Sequence, residues 1–278
     1  MKFERMRVLL TGASGGIGRQ LAADLVQRGA RVLMIGRDLE RLAVIAREVD
    51  EHGDRVRYLA ADLATPDGLD SVVAAAQSYE GTGINVLVNN AGVNDFGQFQ
   101  TLAPDRVAAA IQINLLAPMQ LTQRLWPQLL SRESACVVNV GSILGSIGLP
   151  GQVTYSASKF GLHGFTEALR REAHGTTVRV LYVAPRATDT GMNDAAMRSF
   201  NEQTGTHMDS PAIVSHEIIV ALESRRKERF VGWPERMFVK LNALLPGLVD
   251  RAMRKPALLA REQSPNPDSL TVINGVNS

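Results

Sequence analysis

The sequence predicts an α/β fold: a doubly wound parallel sheet followed by a C-terminal helical extension. Three observations predict it. Short apolar, β-rich runs alternate with longer helical patterns through the first two-thirds of the chain, the rhythm of parallel strands joined by right-handed crossovers. The strand runs are nearly continuous in apolar residues, as strands covered on both faces must be. A glycine-rich turn joins the first strand to the first helix, and ligands in such sheets sit beyond the carboxyl ends of the strands.

The strand candidates lie at residues 6–10, 31–35, 55–60, 84–88, 135–140 and 177–183, with helical patterns between them at 16–28, 38–51, 67–79, 104–130 and 153–174. Residues 185–208 are polar and have no clear period, which predicts a mobile cover over the strand ends. A helix at 211–223 and a short strand at 229–231 close the sheet. Residues 1–231 are therefore read as one domain, 232–263 as an amphipathic helical extension, and 264–278, rich in Pro, Asn and Ser, as a disordered tail.

Composition narrows the function classes. With 45% hydrophobic and 21% charged residues, the chain can bury a sizeable core. The single Cys136 excludes a disulfide framework and a thiolate metal cluster, and its place in the apolar run 135–140 predicts an inert buried thiol. Residues 1–7 lack the apolar stretch of a secretory leader, and no run approaches the ~20 apolar residues of a spanning helix. A cytoplasmic protein with no nucleic-acid partner is expected. His216-Glu217 lacks a second histidine at ligand spacing, so no metal is expected either. Net charge is +2, but residues 225–261 hold ten Lys/Arg against three Asp/Glu, an asymmetry that raises the question of an acidic partner or a membrane surface.

The glycine turn reads Thr11-Gly12-Ala13-Ser14-Gly15-Gly16-Ile17-Gly18 and opens directly into a helix. Glycine lets the backbone turn tightly and approach a pyrophosphate, while the helix N-terminus offers free N–H groups and a positive dipole end. Strand before and helix after make this a dinucleotide-binding turn of the Rossmann type. Its spacing is ambiguous: Gly12, Gly16 and Gly18 fit one glycine pattern, and Gly12, Gly15 and Gly18 fit another. The second strand ends in Gly36 and is followed by Arg37 and Asp38. An Arg there favours the 2′-phosphate of NADP, whereas an acidic residue would favour NAD. Asp38 also suits a helix N-cap, and NADP(H) is the expected cofactor.

Four further signatures follow in order: Asn89-Asn90-Ala91-Gly92, Asn114, Ser142, and Tyr155-Ser156-Ala157-Ser158-Lys159. Tyr155 and Lys159, four apart, share one helix face. A lysine cation and an oxidised nicotinamide beside a tyrosine can bring its ordinary pKa of about 10 toward neutrality. Such a tyrosine gives a proton to a carbonyl oxygen as hydride arrives, or removes it in reverse. Ser142 can hold the same oxygen. Taken singly each residue has an ordinary structural use: a surface pair, a loop cap, a helix kink.

The ordered set, over about residues 6–231, closely resembles the classical short-chain dehydrogenase/reductase family. The resemblance implies that Lys159 also binds the nicotinamide ribose and that Asn114 holds a water in the proton relay. It places Asn90, Ala91 and Gly92 on the adenosine-ribose side and Asp62 with Leu63 at the adenine. Ser14 and Ile17 join the glycines, and Pro185, Thr188 and Thr190 border the nicotinamide. One departure stands out: after the sixth strand the family has Pro-Gly, and this chain has Pro185-Arg186. If the backbone there needed positive φ, Arg would be strained, so a remodelled loop is expected.

The leading reading is a carbonyl reductase or alcohol dehydrogenase acting on a hydrophobic small molecule, with Ile143, Leu144, Ile147, Leu149, Met192 and Met197 as apolar pocket residues. A redox sensor that binds NADP(H) without turnover, and a sugar-nucleotide epimerase or dehydratase, are the alternatives. The resemblance implies a homodimer or homotetramer pairing helices 104–130 and 153–174. In the extension, Phe238, Leu241, Leu245, Leu248 and Ala252 recur on one helical face, interrupted by Pro246-Gly247 and rimmed by Arg236, Lys240, Arg251, Arg254 and Lys255. Two short helices are expected there. Their stripe suits packing on the domain, covering the cleft, meeting a partner subunit, or peripheral contact with an anionic membrane.

Overall fold

The computed structural model describes residues 1–224, 226–233 and 235–263; the tail expected to be disordered lies outside the described residues. Among them, seven parallel strands form one sheet in the order β3-β2-β1-β4-β5-β6-β7. These are β1 Arg7–Thr11, β2 Arg31–Gly36, β3 Val56–Ala60, β4 Val86–Asn89, β5 Ala135–Val140, β6 Val178–Ala184 and β7 Glu228–Phe230. The order reverses between β1 and β4, which opens a crevice above Thr11 and Asn89.

Helices cover both faces. On one, α1 (Gly16–Gln27), α2 (Leu39–Val49) and α8 (Pro211–Glu223) bury Leu21, Leu25, Leu42, Val214 and Ile218 against alternate residues of β1 and β2. On the other, α3 (Pro66–Ser78) and α5 (Ala117–Leu130) bury Leu69, Val72, Leu121 and Leu125 against Leu9, Leu33 and Leu87. The strands are apolar throughout because both faces need filling. Cys136 is buried in this core, and burial pushes its thiol up to about 12, which keeps it protonated and unreactive.

Three elements differ from the sequence expectation. The pattern at 104–130 is not one helix: α4 (Pro104–Ile111) passes through a π-turn at Gln112–Leu116 before α5. The Ala117 N–H reaches back to the Gln112 carbonyl, and the next residue, Pro118, has no N–H to restore the α register. The segment read as irregular contains α7 (Ala195–Gln203), capped by the Asp194 carboxylate accepting from the Met197 N–H at 2.8 Å. The extension has three helices, α9 (Glu235–Leu244), α10 (Pro246–Ala252) and α11 (Arg254–Glu262), because a second break falls at Met253. The remaining long helix, α6, spans Val153–Glu172.

Candidate active site

The glycine turn is built on contacts that admit no side chain. A Cβ on Gly18 would lie 2.2 Å from the Gly12 carbonyl oxygen, and one on Gly12, at φ 65°, would lie 2.7 Å from the Ala91 Cα. Gly16 faces the Thr190 side chain at 3.1 Å, whereas a Cβ on Gly15 would make an ordinary 3.4 Å contact. The tight trio is thus Gly12, Gly16 and Gly18, which resolves the spacing left open by the sequence. The turn is braced from β4: the Asn90 side-chain amide donates to the carbonyls of Thr11 (3.0 Å) and Gly12 (3.2 Å), and the Thr11 hydroxyl accepts from the N–H groups of Asn90 and Ala91. Asn90 therefore spends its amide holding the turn, and Thr11, not singled out from the sequence, is its counterpart.

A continuous cleft of about 1070 Å³ runs from this turn across the strand ends. Every cofactor-side residue singled out from the sequence lines it: Ser14, Ile17 and the glycines, Arg37, Asp62 and Leu63, Asn90 to Gly92, and Pro185, Thr188 and Thr190. Beyond the end of β2, Arg37 is joined in the lining by Arg41, four residues further on. The Asp38 carboxylate caps α2, accepting from the Arg41 N–H at 2.9 Å. Arg41 was missed, and its spacing of four from Arg37 was the available signal.

At the other end Ser142, Tyr155 and Lys159 converge. Ser142 follows β5, and its Oγ accepts from the Leu144 N–H at 3.1 Å. Lys159 is buried and donates from Nζ to the Val140 carbonyl at 3.0 Å, with Nζ 5.6 Å from the centre of the Tyr155 ring. Burial pushes the Tyr155 phenol up to about 12, opposed by its hydrogen bond to Ser142. Burial likewise brings Lys159 down to about 8. The chain alone thus holds Tyr155 protonated: burial raises it and only the Ser142 hydrogen bond opposes, while the lowering expected from the sequence needs the oxidised nicotinamide as well as Lys159.

Asn114 is fully buried behind this cleft, inside the π-turn. Its Oδ1 accepts from the Val93 N–H at 2.8 Å, and its amide donates to the Val93 carbonyl and the Ser158 hydroxyl. It ties the loop after β4, next to Gly92, to α6. Tyr182 on β6 is a second supporting residue that sequence reading missed. Its ring lies under Gly141 and Gly145, where a Cβ would overlap it at 2.2 and 2.4 Å, and its hydroxyl donates to the Ser142 carbonyl at 3.3 Å. The glycines flanking Ser142 were the clue.

Arg186 is not strained: among the described residues Glu80 is the one non-glycine residue with positive φ. The loop is instead rebuilt around its side chain, which makes a paired contact to Asp209 at 2.9 and 2.7 Å and reaches Glu235 at 3.2 Å. The extension covers the end of the cleft near Ile143 and Ile147, with Phe238, Leu241, Leu248 and Met253 in its lining. Of the apolar pocket residues expected from the sequence, Ile143, Leu144, Ile147, Leu149, Met192 and Met197 all line it. No described helix is long and apolar enough to cross a membrane.

Comparison with known proteins agrees with this geometry. The family model described as short chain dehydrogenase matches residues 6–200. The chain is 32% identical over 254 residues to a ketoacyl reductase, HetN, of a Nostoc species, covering 89% of this chain and 88% of that protein. It superposes on a short-chain dehydrogenase from Sphingobium yanoikuyae in complex with NADPH, with a TM-score of 0.76, 27% identity and coverage of 88% and 95%. A Burkholderia phymatum member of the family in complex with NAD shares the fold, with a TM-score of 0.82 at 22% identity and coverage of 90% and 96%. With its parallel sheet, its glycine turn and its ordered Ser-Tyr-Lys set, the chain belongs to the short-chain dehydrogenase/reductase family of oxidoreductases.

Proposed function

We propose that the protein is an NADP(H)-dependent carbonyl reductase for hydrophobic small molecules. The observation that carries this is the convergence of Ser142, Tyr155 and Lys159 at one end of the cleft that begins at the glycine turn. The nicotinamide, when bound, supplies or accepts the hydride. The chain supplies the rest. A Tyr155 phenol near 12 is protonated at neutral pH, ready to donate to a carbonyl oxygen that gains negative charge. Lys159, near 8, is still mostly cationic at pH 7 and stabilises that charge. Ser142, which also hydrogen-bonds Tyr155, is placed to orient the same oxygen. Asn114 acts by fixing the Val93 backbone and α6. In the reverse reaction Tyr155 must give up its proton, and the bound cofactor's charge together with Lys159 would lower its pKa for that step.

Two arginines support NADP over NAD. Arg37 and Arg41 line the cleft that Ser14 also lines, and Asp38 is committed to its cap. A phosphate there would take charge-assisted bonds from both. The NADPH complex of the Sphingobium relative and the reductase name of the Nostoc relative point the same way. Screening the purified protein with NADPH and with NADH against ketones, aldehydes and quinones tests the reading. Oxidation of NADPH by an apolar ketone is expected. Tight NADPH binding with no turnover on any of them would instead establish the redox sensor.

The oligomer proposal rests on α6. Val153, Ala157, Phe160, Gly164 and Ala168 are exposed and fall on one helical face, beside exposed Leu116 and Met119 at the start of α5. A second copy would cover this stripe. Light scattering should report a dimer or tetramer, and Phe160→Glu should shift it toward monomer. Membrane contact rests on the outer side of the extension, where Trp233, Met237 and Leu244 are exposed near Arg236 and Lys240. Co-sedimentation with anionic vesicles, weakened by salt, tests it.

A further inference from the structure

We propose that Arg186 is a positioning residue that clamps the C-terminal helices over the cleft as a roof, and that this roof selects carbonyl compounds carrying a long apolar substituent. The proposal rests on the carbonyl-reductase reading and names its substrate class.

Three separate stretches of chain meet at Arg186. Its guanidinium grips Asp209, which is 2% exposed, through two bonds, and Glu235 through a third. Asp209 is itself stitched to the loop after β6: its N–H donates to the Ala187 carbonyl at 2.8 Å, and its carbonyl accepts from the Asp189 N–H at 2.9 Å. Glu235 opens α9, the first roof helix. Between them the chain leaving β7 passes so close that a Cβ on Gly232, at φ 102°, would meet the Glu235 carboxylate at 2.7 Å and the Arg186 side chain at 2.9 Å. Glycine at this point lets the backbone cross directly over the ion cluster. One step upstream, the Pro185 carbonyl accepts from the Ile143 N–H at 2.9 Å, so the same residue pair borders the Ser142 turn.

The roof has other ties along its length. Val249 packs with Ile143 and Ile147, Asn242 donates to the Ser146 carbonyl at 2.9 Å, Ala260 and Leu259 pack with Phe96, Met197 and Phe200, and Gln263 donates to the Ser199 hydroxyl of α7 at 3.1 Å; the Arg186 cluster is the ionic tie at the start of α9. Apart from Glu235, which is held by Arg186, what it presents to the cleft is apolar: Phe238, Leu241, Leu248 and Met253 among others. Phe238 and Leu248 are each 49% exposed in all, and the part that faces the cleft is apolar surface that an apolar ligand would remove from water. A methylene buried against such a wall can strengthen binding by up to about fourfold. A short ketone reaches Tyr155 without touching it.

The test compares 2-butanone with 2-decanone, with NADPH and the full chain. Wild-type kcat/KM should favour 2-decanone by at least about tenfold, which two to three effectively buried methylenes would supply. Arg186→Ala should raise KM for 2-decanone about tenfold while kcat falls less than about twofold, the pattern of lost binding without lost chemistry. Arg186→Lys should recover part of this, because a point charge keeps attraction without the paired geometry. Glu235→Gln, which leaves the Asp209 pair intact, should give a smaller effect of the same kind and covers the case of Arg186→Ala failing to fold. A chain-length preference that survives in both variants overturns the clamp. Equal wild-type kcat/KM for the two ketones overturns the apolar roof. If the wild type reduces no ketone, the carbonyl-reductase reading fails, and amide hydrogen exchange still decides the clamp. Arg186→Ala should speed exchange in residues 235–263 while the sheet is unaffected, and unchanged exchange there would refute it.

Discussion

The two walls of the cleft are built on different principles. The sheet-side wall is a matter of backbone: Gly12, Gly18 and the ends of β1, β4 and β5 set distances that no rotamer can alter. The cover, helices α9 to α11 held down at Arg186, is a matter of side chains. Its helices are short and largely exposed, and they are held by an ion cluster, two small apolar clusters and a few amide bonds. The first wall can do one kind of chemistry on any carbonyl that reaches it. The second can vary which carbonyl does. Substitutions in the first should therefore impair every substrate alike, and substitutions in the second should change the ranking of substrates.

The largest effect should come from the backbone wall. Gly18→Ala places a methyl group on the Gly12 carbonyl oxygen, and forced overpacking of about 1–3 kcal/mol should weaken NADPH binding roughly 10- to 10²-fold for reactions of all ketones. Calorimetric titration reads it, and an unaltered Kd would break the distinction. Next comes Arg37→Ala. Loss of a hydrogen bond to a charged group, about 1.5–3 kcal/mol, should weaken NADPH by about tenfold or more and leave NADH nearly unchanged. Equal losses would return the choice to Asp38.

The pH profile separates the walls in another way. In the reducing direction kcat/KM should be flat from pH 6 to about 7. It should fall above that, by about half near pH 8, as Lys159, near 8, loses its charge while Tyr155, near 12, stays protonated. A rate that climbs between pH 6 and 8 would contradict a protonated donor. The smallest effects belong to the cover. Met253→Ala should lower kcat/KM for a long ketone by severalfold and hardly touch a short one, since it lines only the substrate end. Leu244→Gln, at 78% exposure, should change neither turnover nor stability by more than about 0.5 kcal/mol.

The same contrast explains what was legible in the sequence. The apolar run 135–140 and the helix at 211–223 appear with the expected bounds, because a doubly covered strand and a Pro-started helix carry their own punctuation. The catalytic wall was legible because its chemistry needs particular residue types at fixed spacings. The π-turn was not, since the missing N–H of Pro118 acts on a helix whose apolar period runs on unbroken. Nor was α7, which buries only Met197, Phe200 and Asn201 and so gives too short a period to count. The break at Met253 was overlooked although Pro256 marks it: in the first turn of α11, its missing N–H cannot reach the Ala252 carbonyl. Arg186 was visible as a departure from the family pattern, but its partners Asp209 and Glu235 lie 23 and 49 residues away, and only the folded chain brings them together.

The central claim is that Tyr155 is the proton donor on the backbone wall, and Tyr155→Phe tests it most directly. The variant keeps the ring and removes only the hydroxyl. NADPH affinity and turnover should be measured on the same preparation with one accepted ketone. The account predicts a Kd within about twofold of wild type and a kcat lower by at least ~10²-fold, the scale of lost acid–base help. A kcat near the wild-type value would contradict it.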